Sequence, residues 1–175
     1  MDYKLFEFIN GIAGHDKLLD FLGIFFGVYL IYLLVIVVLY LSVDKKYFNN
    51  AVYALVSIVI SRLVIVEAIK RLVNRPRPYQ VINVHQLVAD SEKGMSFPSG
   101  HTVILFAIAF SFYGTKYFYP LLILATLGSL ARIFIGVHYP SDVLASVAIA
   151  TIVAWGVRLL FTKQLILKQY VRNKV

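Results

Sequence analysis

The chain has 175 residues, 60% of them hydrophobic and 15% charged, with a mean hydropathy of +0.79. A soluble domain usually carries about 45–50% apolar and about 25% charged residues, so the composition points to a bilayer as solvent and excludes a multidomain soluble enzyme or a long disordered tail. The 17 Lys and Arg outnumber the 9 Asp and Glu, giving a net charge of +8 that suits anionic headgroups and cytoplasmic loops rather than nucleic acid, and the absence of Cys removes thiol nucleophiles, thiolate metal sites and disulfides.

The N-terminal segment carries Asp2 and Glu7 where a signal peptide would be cationic. Leu5, Phe8, Ile9 and Ile12 recur at helical spacing, so residues 3–13 are expected to lie along the interface within an interfacial segment 1–20. A membrane helix needs about 20 mostly apolar residues. Phe21–Val43 meets this without a charge, Ala51–Ile69 with only Arg62 and Glu67, Tyr117–Val137 with Arg132, and Val143–Phe161 with Arg158 close enough to its end to snorkel. Thr102–Tyr113 is shorter, but Ser99–His101 and Gly114–Tyr117 can extend it. The expectation is an all-α integral membrane bundle of about five transmembrane helices plus an N-terminal interfacial helix, forming a single domain over residues 1–175. Its core spans 21–162, and a basic cytoplasmic tail spans 163–175.

With five crossings, Lys45 and Lys46, Lys116, and the tail with Lys163, Lys168, Arg172 and Lys174 share one side. The positive-inside rule assigns that side to the cytoplasm. The polar loop after Lys70 and the turn around His138 then both face outward. Polar groups about 30 residues apart in sequence can thereby meet at one end of the bundle.

Three polar clusters fall at that end, in 70–78, 98–101 and 132–142. In Lys70-Arg71-Leu72-Val73-Asn74-Arg75-Pro76-Arg77-Pro78, the cations are either a solvated juxtamembrane patch or an oxyanion site, since guanidinium forks match phosphate oxygens. In Pro98-Ser99-Gly100-His101, Ser99 can cap a helix whose N–H groups point at an anion, Gly100 lets a phosphate oxygen approach the backbone, and His101 sits in the first turn. An ordinary capped helix start accounts for the same residues. In the third cluster, Asp142 either orients His138 through one ring nitrogen, leaving the other to attack, or only caps the last helix. Pro140 between them makes a regular helix doubtful there, so the contact is expected across a turn.

Taken together, the clusters resemble the signature of the type 2 phosphatidic acid phosphatase superfamily. Its first motif, Lys, six residues, Arg-Pro, matches Lys70 to Arg77-Pro78, and its second matches Pro98-Ser99-Gly100-His101. Its third, Ser-Arg, five residues, His, three residues, Asp, matches at Arg132, His138 and Asp142, with Ala131 in place of the Ser. The resemblance implies a metal-free, cofactor-free double displacement through a phosphohistidine. His138 would be the nucleophile, Asp142 its orienting partner and His101 the acid and then the base, while Lys70, Arg77, Ser99, Gly100 and Arg132 would hold the phosphoryl oxygens.

The run Phe8-Ile9-Asn10-Gly11-Ile12-Ala13-Gly14, with Leu19-Asp20 following, is similar to the small bacterial undecaprenyl-diphosphate phosphatases of that superfamily. This implies a polyprenyl diphosphate substrate in a bacterial cell membrane, with the site facing the extracytoplasmic side and with opposition to bacitracin. Phosphatidylglycerol phosphate and phosphatidic acid are the alternative substrates. Arg71 and Arg75 offer charge to a second phosphate. Mid-span Arg62 is expected to face the bundle and pair, with Glu67 one partner although five residues is an awkward helical spacing; Glu67 can instead steady Lys70, three residues on. A small anion channel or transporter explains the intramembrane charges but not the spacing of His101, His138 and Asp142. A vanadate-dependent haloperoxidase has a similar pocket, but that family is typically soluble and much larger.

Overall fold

A computed structural model describes residues 2–88 and 94–172, with side chains described up to Lys163. Among the described residues every regular element is a helix: α1 (Asp2–Asn10), α2 (Lys17–Leu41), α3 (48–73), α4 (Pro78–Val81), α5 (Gly100–Ser111), α6 (Phe118–Phe134) and α7 (Pro140–Arg172). Helices α2, α3 and α7 are long and apolar enough to cross a membrane, while α5 and α6 are the shorter apolar helices. A helix stands at each of the five expected apolar runs, with shifted ends, and three of the five reach spanning length.

The shifts have local causes. Asp16 caps α2 by accepting from the N–H groups of Leu18 and Leu19 at 2.9 and 2.8 Å, so the helix starts before Phe21. Helix α3 ends where Asn74 turns left-handed (φ 49°) ahead of Pro76. Helix α6 stops short of Val137 because Gly136 takes φ 86°. Pro140, expected to disturb regular helix, instead occupies the first position of α7, where its missing N–H costs nothing. That helix runs past Phe161 to Arg172, so Lys163 stands on a continuing helix rather than in a separate tail, and Lys174 lies outside the described residues.

The shortest predicted span is the centre of the bundle. Val103, Leu105, Ala107, Ile108 and Ala109 of α5 are all buried, and α2, α3, α6 and α7 pack around it. A helix apolar on every face belongs inside a bundle, not at its edge. Small residues bring α2 and α6 together: Gly23 lies against Phe134, Gly27 against Ala131 and Ile135, and Gly128 against Leu105 and Leu30. Phe21, Tyr40, Leu63, Val64, Leu144 and Ile152 are exposed on the outside, as lipid-facing side chains are.

Helix lengths set the depth of the site. Helices α3 and α5 run antiparallel, with Asn50 donating to the Ser111 carbonyl at 2.8 Å at one end and Arg62 against Gly100 at the other. Helix α3 then continues to residue 73, about 16 Å beyond the start of α5 at 1.5 Å per residue. The start of α5 is therefore the floor of a recess. The loops joining α2 to α3 and α5 to α6 meet at the opposite end, where the Tyr47 and Tyr117 rings lie 5.0 Å apart.

A methyl group at Gly128 would come 2.7 Å from Leu105 Cδ1 and 3.0 Å from Leu30 Cδ2, whereas at Gly156 nothing lies within 4 Å. Gly128→Ala is expected to cost about 1–3 kcal/mol and lower the melting temperature in detergent. Gly156→Ala should leave that temperature unchanged or raise it slightly.

Candidate active site

The turn between α6 and α7 carries His138, which is fully buried. Its Nδ1 lies 3.4 Å from Asp142 Oδ2 and 3.5 Å from Ser96 Oγ. The Asp142 carboxylate, also fully buried, is held from several directions. Oδ2 accepts the Tyr139 N–H at 2.8 Å and the Ser96 hydroxyl, and Oδ1 accepts Arg75 at 2.8 Å. Since Tyr139 precedes Pro140 at the helix start, the Tyr139 bond is the returning half of a capping box. The carboxylate therefore caps α7 and orients His138 together, where the sequence left these as alternatives.

With Nδ1 facing a carboxylate, the imidazole holds its proton there and turns a lone pair outward at Nε2. Among the described residues Nε2 has no hydrogen-bond partner and no solvent. A buried polar atom in that condition costs about 1–3 kcal/mol unless a ligand meets it. Burial pushes the His138 pKa down to about 4 against the pull of Asp142, and the positive charges of Arg132 and Arg77 push it the same way. His138 is thus neutral at physiological pH.

Arg132 and Arg77 are both buried. Arg132 donates to the Gly27 carbonyl at 2.9 Å, which ties α6 to α2 beside the turn. Pro76 and Pro78 stiffen the chain around Arg77, whose Nε donates to the Gly94 carbonyl at 3.0 Å and whose Nη1 lies 3.5 Å from the Val137 carbonyl. Ser99 caps α5 by accepting from Thr102, and its own N–H lies 3.4 Å from the Asp142 carbonyl. The motif residues of α5 and α7 are thereby joined at their helix starts.

Beside this buried cluster opens a cavity of about 790 Å³, lined by Arg62, Glu67, Lys70, Arg71 and Arg77, by Gly100 and His101, and by Ile31, Tyr32 and Ile104. Of the expected site residues, Lys70, Arg77, Gly100 and His101 line it. His138, Asp142, Ser99 and Arg132 belong to the buried cluster, and Arg77 belongs to both. The expectation for Gly100 is revised. Its open side is occupied by Arg62, whose Nε would lie 2.6 Å from a Cβ built there, rather than offered to a phosphate oxygen.

Several participants carry no signal in the sequence. Ser96 sits in an unremarkable stretch yet bonds Asp142. Arg75, expected to offer charge to a second phosphate, is instead spent inside the protein. It bonds Asp142, Ser141 at 2.6 Å and Asp2 at 2.7 Å, and its guanidinium lies 4.0 Å above the Tyr139 ring. Asp2 also accepts the Ser141 N–H at 2.9 Å and the Ser141 hydroxyl at 2.6 Å. Burial works against ionisation of Asp2, but Arg75 and Ser141 outweigh it and hold the carboxyl below its usual range. Asn10 adds a second tie, bonding the His85 backbone on both sides (3.0 and 2.9 Å) and the Phe134 carbonyl at 2.8 Å. His85, expected as a plain surface residue, therefore has an anchored backbone under an exposed side chain.

Arg62 and Glu67 form an ion pair. Residues Val59–Val66 are π-helical, and i→i+5 bonding brings the fifth residue onto the same face, so the awkward spacing becomes one turn. Among the described residues no group of three or more His, Asp or Glu side chains is placed to hold a metal ion.

Residues 50–166 match the family described as the PAP2 superfamily. Undecaprenyl-diphosphatase BcrC of Bacillus subtilis (strain 168) is 33% identical over 159 residues, covering 89% of this chain and 81% of that one. The crystal structure of Aquifex aeolicus LpxE superposes with a TM-score of 0.78 at 30% identity, covering 89% of this chain and 93% of that one. That of the PAP2-type phosphatidylglycerolphosphate phosphatase from Bacillus subtilis superposes with a TM-score of 0.68 at 19% identity, covering 92% and 86%, a likeness of fold.

The buried imidazole makes two linked predictions. Nitrogen NMR of ring-labelled protein should show His138 neutral to about pH 5 with a midpoint near 4; a midpoint near 6.5 would contradict the burial. Between these values the unfolded chain binds the proton that the folded site refuses, so this residue's contribution to stability falls as pH drops from 6.5 toward 4.

Proposed function

The chain belongs to the PAP2 superfamily, and on that premise we propose that it is a lipid diphosphate phosphohydrolase acting on undecaprenyl diphosphate through a phosphohistidine. The observation that carries the proposal is His138, aligned by Asp142 at Nδ1, bare at Nε2, and set among the charges of Arg77 and Arg132. A neutral buried imidazole with one committed nitrogen is a nucleophile at physiological pH.

In the first step Nε2 bonds to the terminal phosphorus, the bond to the bridging oxygen breaks, and His101 gives that oxygen a proton. In the second, His101 takes a proton from water, the hydroxide bonds to phosphorus as the bond from phosphorus to Nε2 breaks, and inorganic phosphate leaves. Arg77, Arg132, Lys70 and the N–H groups at the start of α5, capped by Ser99, meet the charge on the transferring phosphoryl oxygens. Guanidinium and ammonium groups supply that positive charge, so the proposed chemistry needs no metal ion. Ala131 stands where the motif has Ser, which leaves these charged groups in place.

The membrane setting fits a lipid headgroup. The protein is a multi-pass membrane protein, and its cavity combines cations with the apolar side chains of Ile31, Tyr32 and Ile104. Lys45, Lys46 and Lys116 stand on the loops at the end away from the site, as the element order requires. The positive-inside rule then gives the site an extracytoplasmic face in our proposal. The identity to the Bacillus undecaprenyl-diphosphatase supports the polyprenyl substrate, and with it removal of the diphosphate that bacitracin sequesters.

Purified protein should release phosphate from undecaprenyl diphosphate much faster than from phosphatidic acid or phosphatidylglycerol phosphate. Stronger turnover of either glycerolipid would overturn the substrate. His138→Ala and Arg132→Ala should lower kcat/KM by roughly a thousandfold or more. Activity should persist in excess chelator; loss there with rescue by a divalent ion would contradict the charge assignment.

A further inference from the structure

We propose that Arg62, with Arg71, holds the phosphate that stays on the lipid, and that Glu67 is the carboxylate this phosphate displaces. The inference rests on the diphosphate reading above and adds to it a second anion site outside the family motifs.

Position is the first ground. Arg62 lies in the middle of α3, where a charge is costly in a bilayer and by default marks a functional site. Its guanidinium packs on Gly100 closely enough that a Cβ there would meet Nε at 2.6 Å, Cδ at 3.0 Å and Cζ at 3.2 Å. Gly100 therefore seats Arg62 beside His101. That is where the oxygen between the two phosphates must lie if His101 protonates it, so the retained phosphate falls toward Arg62 and the transferring one toward Arg77 and His138.

Charge is the second. Among the described residues the cavity is lined by the cations Arg62, Lys70, Arg71 and Arg77 and by the carboxylate of Glu67. Arg75 is committed to Asp2 and Asp142 and takes no part. A transferring phosphoryl group accounts for Arg77 and Lys70, which leaves Arg62 and Arg71 for a second anion.

The pairing itself is the third. The π-helical turn brings Glu67 onto Arg62, yet the two side chains are 42% and 30% exposed, so the pair sits in the cavity wall rather than in the core. A pair on the cavity wall can be reached by a ligand and exchanged for it. A phosphate offers several charge-assisted bonds in exchange. Ile31, Tyr32 and Ile104 line the same cavity, where the first carbons of a lipid chain would follow the retained phosphate.

The test compares Arg62→Gln and Glu67→Gln in detergent-purified full-length protein, measuring phosphate release from undecaprenyl diphosphate and from phosphatidic acid. Arg62→Gln should lower kcat/KM on the diphosphate roughly tenfold more than on the monophosphate. Glu67→Gln should lower KM for the diphosphate selectively, because Arg62 is released; this variant decides the matter if Arg62→Gln does not fold. Equal effects on both lipids, or none on the diphosphate, would overturn the second site while leaving the diphosphatase reading standing. Wild-type protein that splits only the monophosphate would overturn both.

Discussion

A buried carboxylate is tolerable only when its oxygens are all engaged, and Asp142 meets that condition with groups drawn from across the chain. Tyr139 and Ser96 bond one oxygen, Arg75 the other, and His138 lies alongside. Removing any one of these leaves a desolvated charge short of compensation, which in protein interiors costs several kcal/mol. The carboxylate thus fixes the relative positions of the turn before α7, the segment before α5 and the exit of α3. The imidazole orientation depends on it, and so does the lone pair at Nε2.

The same arrangement gives the N-terminal helix a role beyond resting at an interface. Asp2 shares Arg75 and Ser141 with the Asp142 network, Phe6 packs on Tyr139 with ring centres 5.5 Å apart, and Asn10 staples the His85 backbone to the end of α6. Helix α1 is a strap across the turn that carries His138. Depth comes from a different source, the mismatch between α5 and α3. A central helix that starts about 16 Å below its neighbour's end leaves a recess, and cations on the overhanging part of α3 face into it.

The outline of the fold was legible because lipid imposes it. Apolar runs and the parity of Lys and Arg suffice to place five helices and to bring the three polar clusters to one end. The motif spacing also pointed to His101, His138 and Asp142, which lie at or beside the starts of α5 and α7. Partners that act at long range were not legible. Ser96, Asp2 and Asn10 reach their targets across 46, 139 and 124 residues, and no local pattern marks them. The destination of Arg75 is not legible either, because a basic cluster looks alike in sequence whether its members face a ligand or a buried carboxylate. Arg62 and Glu67 are mismatched at α-helical spacing and matched only because the backbone between them is π-helical.

The account stands on His138 Nε2 as the atom that takes the phosphoryl group. Rapid acid-free quenching of the protein with undecaprenyl diphosphate labelled in its terminal phosphate tests this most directly. The account predicts a base-stable, acid-labile label that maps to the peptide containing His138 and disappears in His138→Ala. A label on another residue, or full turnover in His138→Ala, would contradict it.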